Sequence, residues 1–223
     1  LLRREPDGRL VGHADLSAVA GGHANDMVVD RQGNAYVGNF GFDLMGGAPF
    51  APARLARVAP DGTVSAVAEG LYFPNGSMVT PDGRTLIVGE TFGNRLSAFD
   101  LLPGGRLGPR RDWAVFGPLP QGDNLAQVIA QTQVAPDGAA LDAEGAVWLA
   151  DANHRRVLRV AEGGRVLGEI ATRPLGVYAC ALGGPDGRTL FLCVAPDYLE
   201  HKRKAAREAA VWTTRVDVPA AGF

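Results

Sequence analysis

The chain has 223 residues, 46% hydrophobic and 21% charged, with a formal net charge of −2. That balance predicts one soluble globular domain with a real core, and it excludes nucleic-acid binding, which needs a basic field. No run approaches the ~18 apolar residues of a membrane helix, and 30 glycines with 15 prolines point to many turns between short strands.

The first residues, Leu1-Leu2-Arg3-Arg4 and Arg9-Leu10-Val11, flank Glu5-Pro6-Asp7-Gly8 and predict a hairpin. Their charge is unlike the apolar stretch of a secretory leader. A phrase then begins that recurs along the chain: apolar residues, an Asp-x-x-Gly or Pro-Asp-Gly turn, and a second apolar run. It appears first as Met27-Val28-Val29-Asp30 through Gly33 to Ala35-Tyr36-Val37-Gly38, followed by Arg54-Leu55-Ala56-Arg57-Val58 and the turn Pro60-Asp61-Gly62. Next comes Met78-Val79-Thr80-Pro81-Asp82-Gly83, with Leu86-Ile87-Val88-Gly89 and Arg95-Leu96-Ser97-Ala98-Phe99-Asp100 behind it. The third is Ala140-Leu141-Asp142 through Gly145 to Val147-Trp148-Leu149-Ala150, continued by Arg156-Val157-Leu158-Arg159-Val160. The fourth is Ala181-Leu182 through Pro185-Asp186-Gly187 to Leu190-Phe191-Leu192.

The turn residues Gly33, Gly83, Gly145 and Gly187 fall 50, 62 and 42 residues apart. In each phrase Asp or Asn suits the tight turn, Gly supplies positive φ, and the apolar runs form strands. Two hairpins per unit are the pattern of a four-stranded propeller blade. We therefore expect an all-β fold, a single β-propeller domain over residues 1–223, rather than a β-sandwich of unrelated hairpins. Four phrases give four full blades. The opening hairpin reads as the second half of another, so about one and a half N-terminal blades are expected to be absent. The open sheet edges this leaves predict a homo-oligomer. Between the second and third phrases, residues 116–133 form a long linker, read either as a lid over the mouth or as packing on the outer rim. Only residues 198–210 look helical, an insertion before a last strand at 211–218. Two cysteines are too few for a secreted disulfide framework. Cys180 and Cys193 are expected opposite each other across a hairpin, where a disulfide is conceivable; buried free thiols in a cytoplasmic protein are preferred.

Three polar loops precede the opening strands of successive blades: Gly22-His23-Ala24-Asn25-Asp26, Tyr72-Phe73-Pro74-Asn75-Gly76 and Val134-Ala135-Pro136-Asp137-Gly138. The repeat puts them at one height, converging on the central channel. Asn and Asp oxygens suit a hard divalent cation, although Asn-Gly and Asp-Gly also form ordinary turns. No Gly-x-Ser-x-Gly elbow or P-loop occurs, and His13, His23, His154 and His201 have no zinc-ligand spacing.

These phrases, with Gly38-Asn39-Phe40-Gly41-Phe42-Asp43 and Val216-Asp217-Val218-Pro219, resemble the gluconolactonase/regucalcin (senescence marker protein) family over nearly the whole chain. The resemblance implies a six-bladed propeller with one divalent cation in its channel: calcium first, with magnesium, manganese or zinc as alternatives. It implies hydrolysis of a small-molecule sugar lactone or related cyclic ester. Asn75 and Asp137 match two metal ligands, and Asp137 also the general base. Asn25 matches a substrate-contacting residue. His23 stands where many members carry a substrate-binding Arg. The family's third ligand, a Glu of a Glu-x-Pro phrase, has no match, since Glu5-Pro6 lies in a hairpin turn. The alternatives are a non-catalytic propeller that binds a sugar acid or a protein partner, and a strictosidine-synthase-like propeller that lacks this metal set.

Overall fold

Each of the four phrases folds as an antiparallel hairpin in the computed structural model, which describes residues 1–222. The turn glycines take positive φ, as the turn requires: 84° at Gly33, 72° at Gly83, 76° at Gly145 and 70° at Gly187. An aspartate organises each turn, Asp82 and Asp186 each accepting one N–H and the other two accepting a pair. Asp30 Oδ1 accepts the N–H groups of Gln32 and Asn34, and Asp142 Oδ1 those of Glu144 and Ala146.

A two-stranded hairpin comes first, β1 (Leu2–Arg4) with β2 (Leu10–Gly12). Blade I follows as β3 (Ala24–Val29), β4 (Ala35–Asn39), β5 (Ala53–Val58) and β6 (Val64–Leu71). Blade II is β7 (Pro74–Val79), β8 (Thr85–Glu90) and β9 (Arg95–Leu102), with β10 (Arg106–Leu107) and β11 (Arg111–Val115) both paired to β9. Blade III is β12 (Pro136–Leu141), β13 (Val147–Asp151), β14 (Arg156–Val160) and β15 (Val166–Ala171). Blade IV has three strands rather than the expected four: β16 (Gly176–Gly183), β17 (Thr189–Ala195) and β18 (Ala210–Arg215). The innermost strands β3, β7, β12 and β16 pack side by side in that order, as in a propeller.

The core lies between blades, which explains the continuous apolar runs of β8 and β13: both faces of each sheet are covered. On β8, Leu86 and Val88 turn toward Tyr36, Leu55 and Leu71 of blade I. Ile87, between them, turns toward Val147, Leu149 and Leu158 of blade III. Each such buried side chain stabilises by roughly 1.5–3 kcal/mol. Trp148 and Val157 meet Leu190 and Leu192 between blades III and IV. By contrast β3 has no blade beside its outer face, so Val29 is 52% exposed.

Two helices lie between strands. The expected helix is shorter than read, α2 (Glu200–Ala205). The other, α1 (Leu125–Gln131), sits in the long linker and was not anticipated. Its signal is Asn124, whose side chain caps the helix by accepting Gln127 N–H at 3.1 Å. Among the described residues no helix is long and apolar enough to cross a membrane. The hairpin turn is centred on residue 186, half a residue earlier than expected, which pairs Cys180 with Leu192 and Cys193 with Ala179. Adjacent register positions face opposite sides of a sheet, so the cysteines are not opposite each other. Both thiols are free, but only Cys180 is buried; Cys193 is exposed.

Candidate functional site

The four innermost strands share one irregularity at one height. Their registers shift between Ala24 and Met27, Pro74 and Ser77, Pro136 and Ala139, and Val177 and Ala179. A β-bulge leaves residues unpaired and re-aims their side chains. The displaced residues include Asn25 and Asp26, Asn75 and Gly76, Asp137 and Gly138, and Tyr178. This corrects the sequence expectation: the polar residues lie inside the strands, at the bulges, not in loops before them. The Asn-Gly and Asp-Gly pairs are not turns either. A Cβ on Gly76 would stand 2.1 Å from the carbonyl oxygen of Asp137. Only glycine lets β7 and β12 approach this closely, and that approach brings Asn75 to Asp137.

Asn75 is 3% exposed, and its Nδ2 donates to Thr91 Oγ1 at 3.0 Å. Thr91 Oγ1 in turn donates to Pro136 O at 2.7 Å, tying blade II to blade III. The Asn75 side chain also lies close enough to the Asp137 carboxylate to favour its charged form. Burial pushes the Asp137 carboxyl up to about 7; Asn75 and the hydrogen bond from the Gly138 N–H oppose this, and the nearby Asp26 carboxylate adds to it. Asn75 Oδ1 receives no hydrogen bond among the described residues. Oxygen donors thus converge, and among the described residues neither Asp26 nor Asp137 forms an ion pair, a set that fits a hard divalent ion. They are few: no group of three or more His, Cys, Asp or Glu suited to a metal occurs among the described residues.

Asn75, Asp137 and Asp26 are therefore brought together, and Asn25 sits beside Asp26 in the bulge of β3. His23 lies farther up, its ring 6.0 Å from that of Phe40. Asp26, Gly76, Thr91 and Tyr178 were missed from sequence. Asp26 and Gly76 had a signal, a polar pair repeated at the same point of each blade; Thr91 and Tyr178 had none. The Tyr178 hydroxyl is pushed up, by burial first, then by Asp197, Tyr198 and Asp137, with Arg155 acting the other way.

One wall of the mouth is aromatic. Phe42, Phe73 and Phe92 are buried with Val128 of α1, and Phe40 meets Phe73 edge-on at 4.5 Å. The long linker is thereby built into the rim above blades I and II. Helix α2 begins within reach of His23: the Glu200 carboxyl is lowered by Lys204 first and also by His23.

Two corners of the rim repeat one scaffold. Where β8 meets β9, the fully buried Glu90 takes Arg95 Nε and Nη2 at 2.7 and 2.9 Å, Ser97 Oγ at 2.5 Å and the Tyr72 N–H at 2.8 Å. Where β13 meets β14, the fully buried Asp151 takes Arg156 Nε at 2.8 Å, the Ala135 N–H at 3.0 Å and His154 Nδ1 at 2.8 Å.

Residues 4–196 match the family described as the SMP-30/Gluconolactonase/LRE-like region. Among curated proteins, a 6-deoxy-6-sulfogluconolactonase of Pseudomonas putida is 29% identical over 87% of this chain and 62% of its own length. A pentonolactonase of Haloferax volcanii is 29% identical over 77% of this chain and 53% of its own. This chain thus spans between half and two thirds of those relatives. Among solved structures, the calcium-binding protein regucalcin of Agrobacterium tumefaciens superposes with a TM-score of 0.70 at 22% identity, covering 97% of this chain and 68% of that one. Four blades and a hairpin over that share are the proportion a six-bladed ring requires. By its match over most of its length, the chain belongs to the SMP-30/gluconolactonase/LRE-like family.

Proposed function

We propose that this chain carries the metal-dependent active site of a lactonase, which opens the ester ring of a sugar lactone or related lactone. The observation that carries the reading is the Asn75–Asp137 contact, an amide oxygen and a desolvated carboxylate held together at facing bulges. The family membership and the lactonase names of the relatives support it.

Asn75 and Asp137 would hold the cation, with Asp26 close by; calcium suits these oxygen donors best, and magnesium or manganese next. When bound, the ion supplies Lewis-acid polarisation of the lactone carbonyl. Asp137 takes the proton of the attacking water. The water oxygen bonds to the carbonyl carbon, the ring C–O bond breaks, and the ring oxygen leaves as a hydroxyl after gaining a proton. Asn25 offers its amide to a substrate hydroxyl, and His23 contacts the substrate farther up the mouth. The scarcity of carboxylate ligands favours a second reading, a propeller that binds a sugar acid without turning it over.

The test is lactone hydrolysis followed by pH indicator, after chelation and with single metals returned, beside Asp137→Ala and Asn75→Ala. Metal-dependent activity lost in both variants, by about a thousandfold or more, supports the hydrolase. Sugar-acid binding by calorimetry with no turnover under any metal supports the second reading.

A further inference from the structure

Beside the β13–β14 corner lies a cavity of about 470 Å³, lined by Asn153, His154, Arg155, Arg156, Glu169 and Arg173. Its charges are not balanced. Asp151 is committed to Arg156 and His154, and Glu169 reaches Arg156 Nη1 at 3.2 Å. Arg155 and Arg173 make no ion pair among the described residues. The Asp151 carboxylate grips Nδ1 of His154, so Nε2 lies on the free side of the ring.

The backbone singles out Arg155. Its φ is 56°, in the left-handed region, where a side chain other than Asn, Asp or Gly costs about 1 kcal/mol. The equivalent residue of blade II, Asn94, has φ 50° and is suited to it. Asn94 also serves the fold: Nδ2 donates to Pro118 O and Gln131 O, and Oδ1 accepts the Gln133 N–H. Arg155 makes no side-chain hydrogen bond among the described residues, so the turn does not require an arginine. Strained residues that the fold does not need occur at functional sites.

We infer that this cavity is an oxyanion-binding subsite, formed by Arg155, Arg173 and His154, for an acidic substituent of the substrate such as a phosphate or carboxylate. It rests on the lactonase reading and narrows it to lactones that carry a negative charge away from the ring ester. Guanidinium groups and an imidazole oriented by a buried carboxylate are the donors such a group needs. The site is on the same face as the channel mouth, since the β8–β9 corner equivalent to it borders the mouth wall through Phe92. Tyr178, at the bulge of β16, feels the charges of both Asp137 and Arg155.

The test has two arms, each run on the full chain and on Arg155→Asn/Arg173→Ala, in which the Asn relieves the left-handed position. In the first, inorganic phosphate is titrated while the His154 ring resonances are followed by NMR, assigned with His154→Gln. A saturable shift that weakens roughly tenfold in the variant is expected. No saturable shift, or one the variant leaves alone, overturns the subsite. In the second arm, gluconolactone and its 6-phosphate are compared. The ratio of kcat/KM for the phosphorylated over the neutral lactone is expected to fall roughly tenfold in the variant. An unchanged ratio overturns its role in substrate choice. If neither lactone is opened, the hydrolase reading falls, and the phosphate titration still decides whether an anion binds here.

Discussion

At the β8–β9 corner, Glu90, Asn94 and Arg95 stand where Asp151, Arg155 and Arg156 stand at the β13–β14 corner. Both corners bury a carboxylate at a strand end, pair it with an arginine in register, and turn through a left-handed residue. Around the first, Phe92 and Tyr72 join an aromatic cluster closed by α1. Around the second, Asn153 and His154 border a cavity whose Arg155 and Arg173 make no ion pair among the described residues. The repeated positions thus build the rim, and the positions that differ between repeats make one corner aromatic and leave the other lined by arginines.

Removing the shared feature gives the largest expected effect. Glu90→Ala strands Arg95 and the Tyr72 N–H in a closed corner and should cost about 3–5 kcal/mol in urea unfolding. Asp151→Ala should cost less, about 2–3 kcal/mol, because Arg156 keeps Glu169 and is more exposed. Equal losses would mean that the aromatic cover adds nothing. Asn94→Arg places the blade III residue in blade II. It removes the hydrogen bonds to Pro118, Gln131 and Gln133 and should cost about 2–3 kcal/mol. Val128→Ala opens a gap under α1 and should cost about 1–3 kcal/mol. If that variant changes substrate preference with no loss of stability, α1 acts as a lid rather than a fixed wall.

The reverse exchange, Arg155→Asn, should raise stability by about 0.5–1 kcal/mol while weakening phosphate binding. A loss of stability would show that Arg155 supports the fold after all. The smallest difference is in the thiols. Cys193 is exposed, whereas burial pushes the Cys180 thiol up to about 12. In native protein a maleimide should modify Cys193 alone, with Cys180 reacting only on unfolding, as mass spectrometry would read.

The blades were legible because hairpins are local. Asp30-x-x-Gly33 and Asp142-x-x-Gly145 carry their own turn chemistry, and apolar runs on both sides declare sheets buried on two faces. Asn75, Asp137 and Asn25 were legible as one level of the repeat, with the family resemblance assigning their roles. The bulges were not legible. A two-against-one register is settled by how strands pack against their partners, whereas the cysteines fell out of line through the centre of their hairpin turn. Helix α1 was hidden for a similar reason. Seven residues make a marginal helix in isolation, and burial of Val128 among phenylalanines from three separate loops stabilises this one.

By itself, then, the sequence determined the strand content, the blade repeat and which polar residues recur at one height, since all of these follow from local spacing and turn chemistry. Only the tertiary structure decided that Gly76 brings Asn75 to Asp137, that Asp26 joins them, and that one rim corner is sealed while its twin is open. These are contacts between strands and loops far apart in the chain, set by how closely neighbouring blades pack.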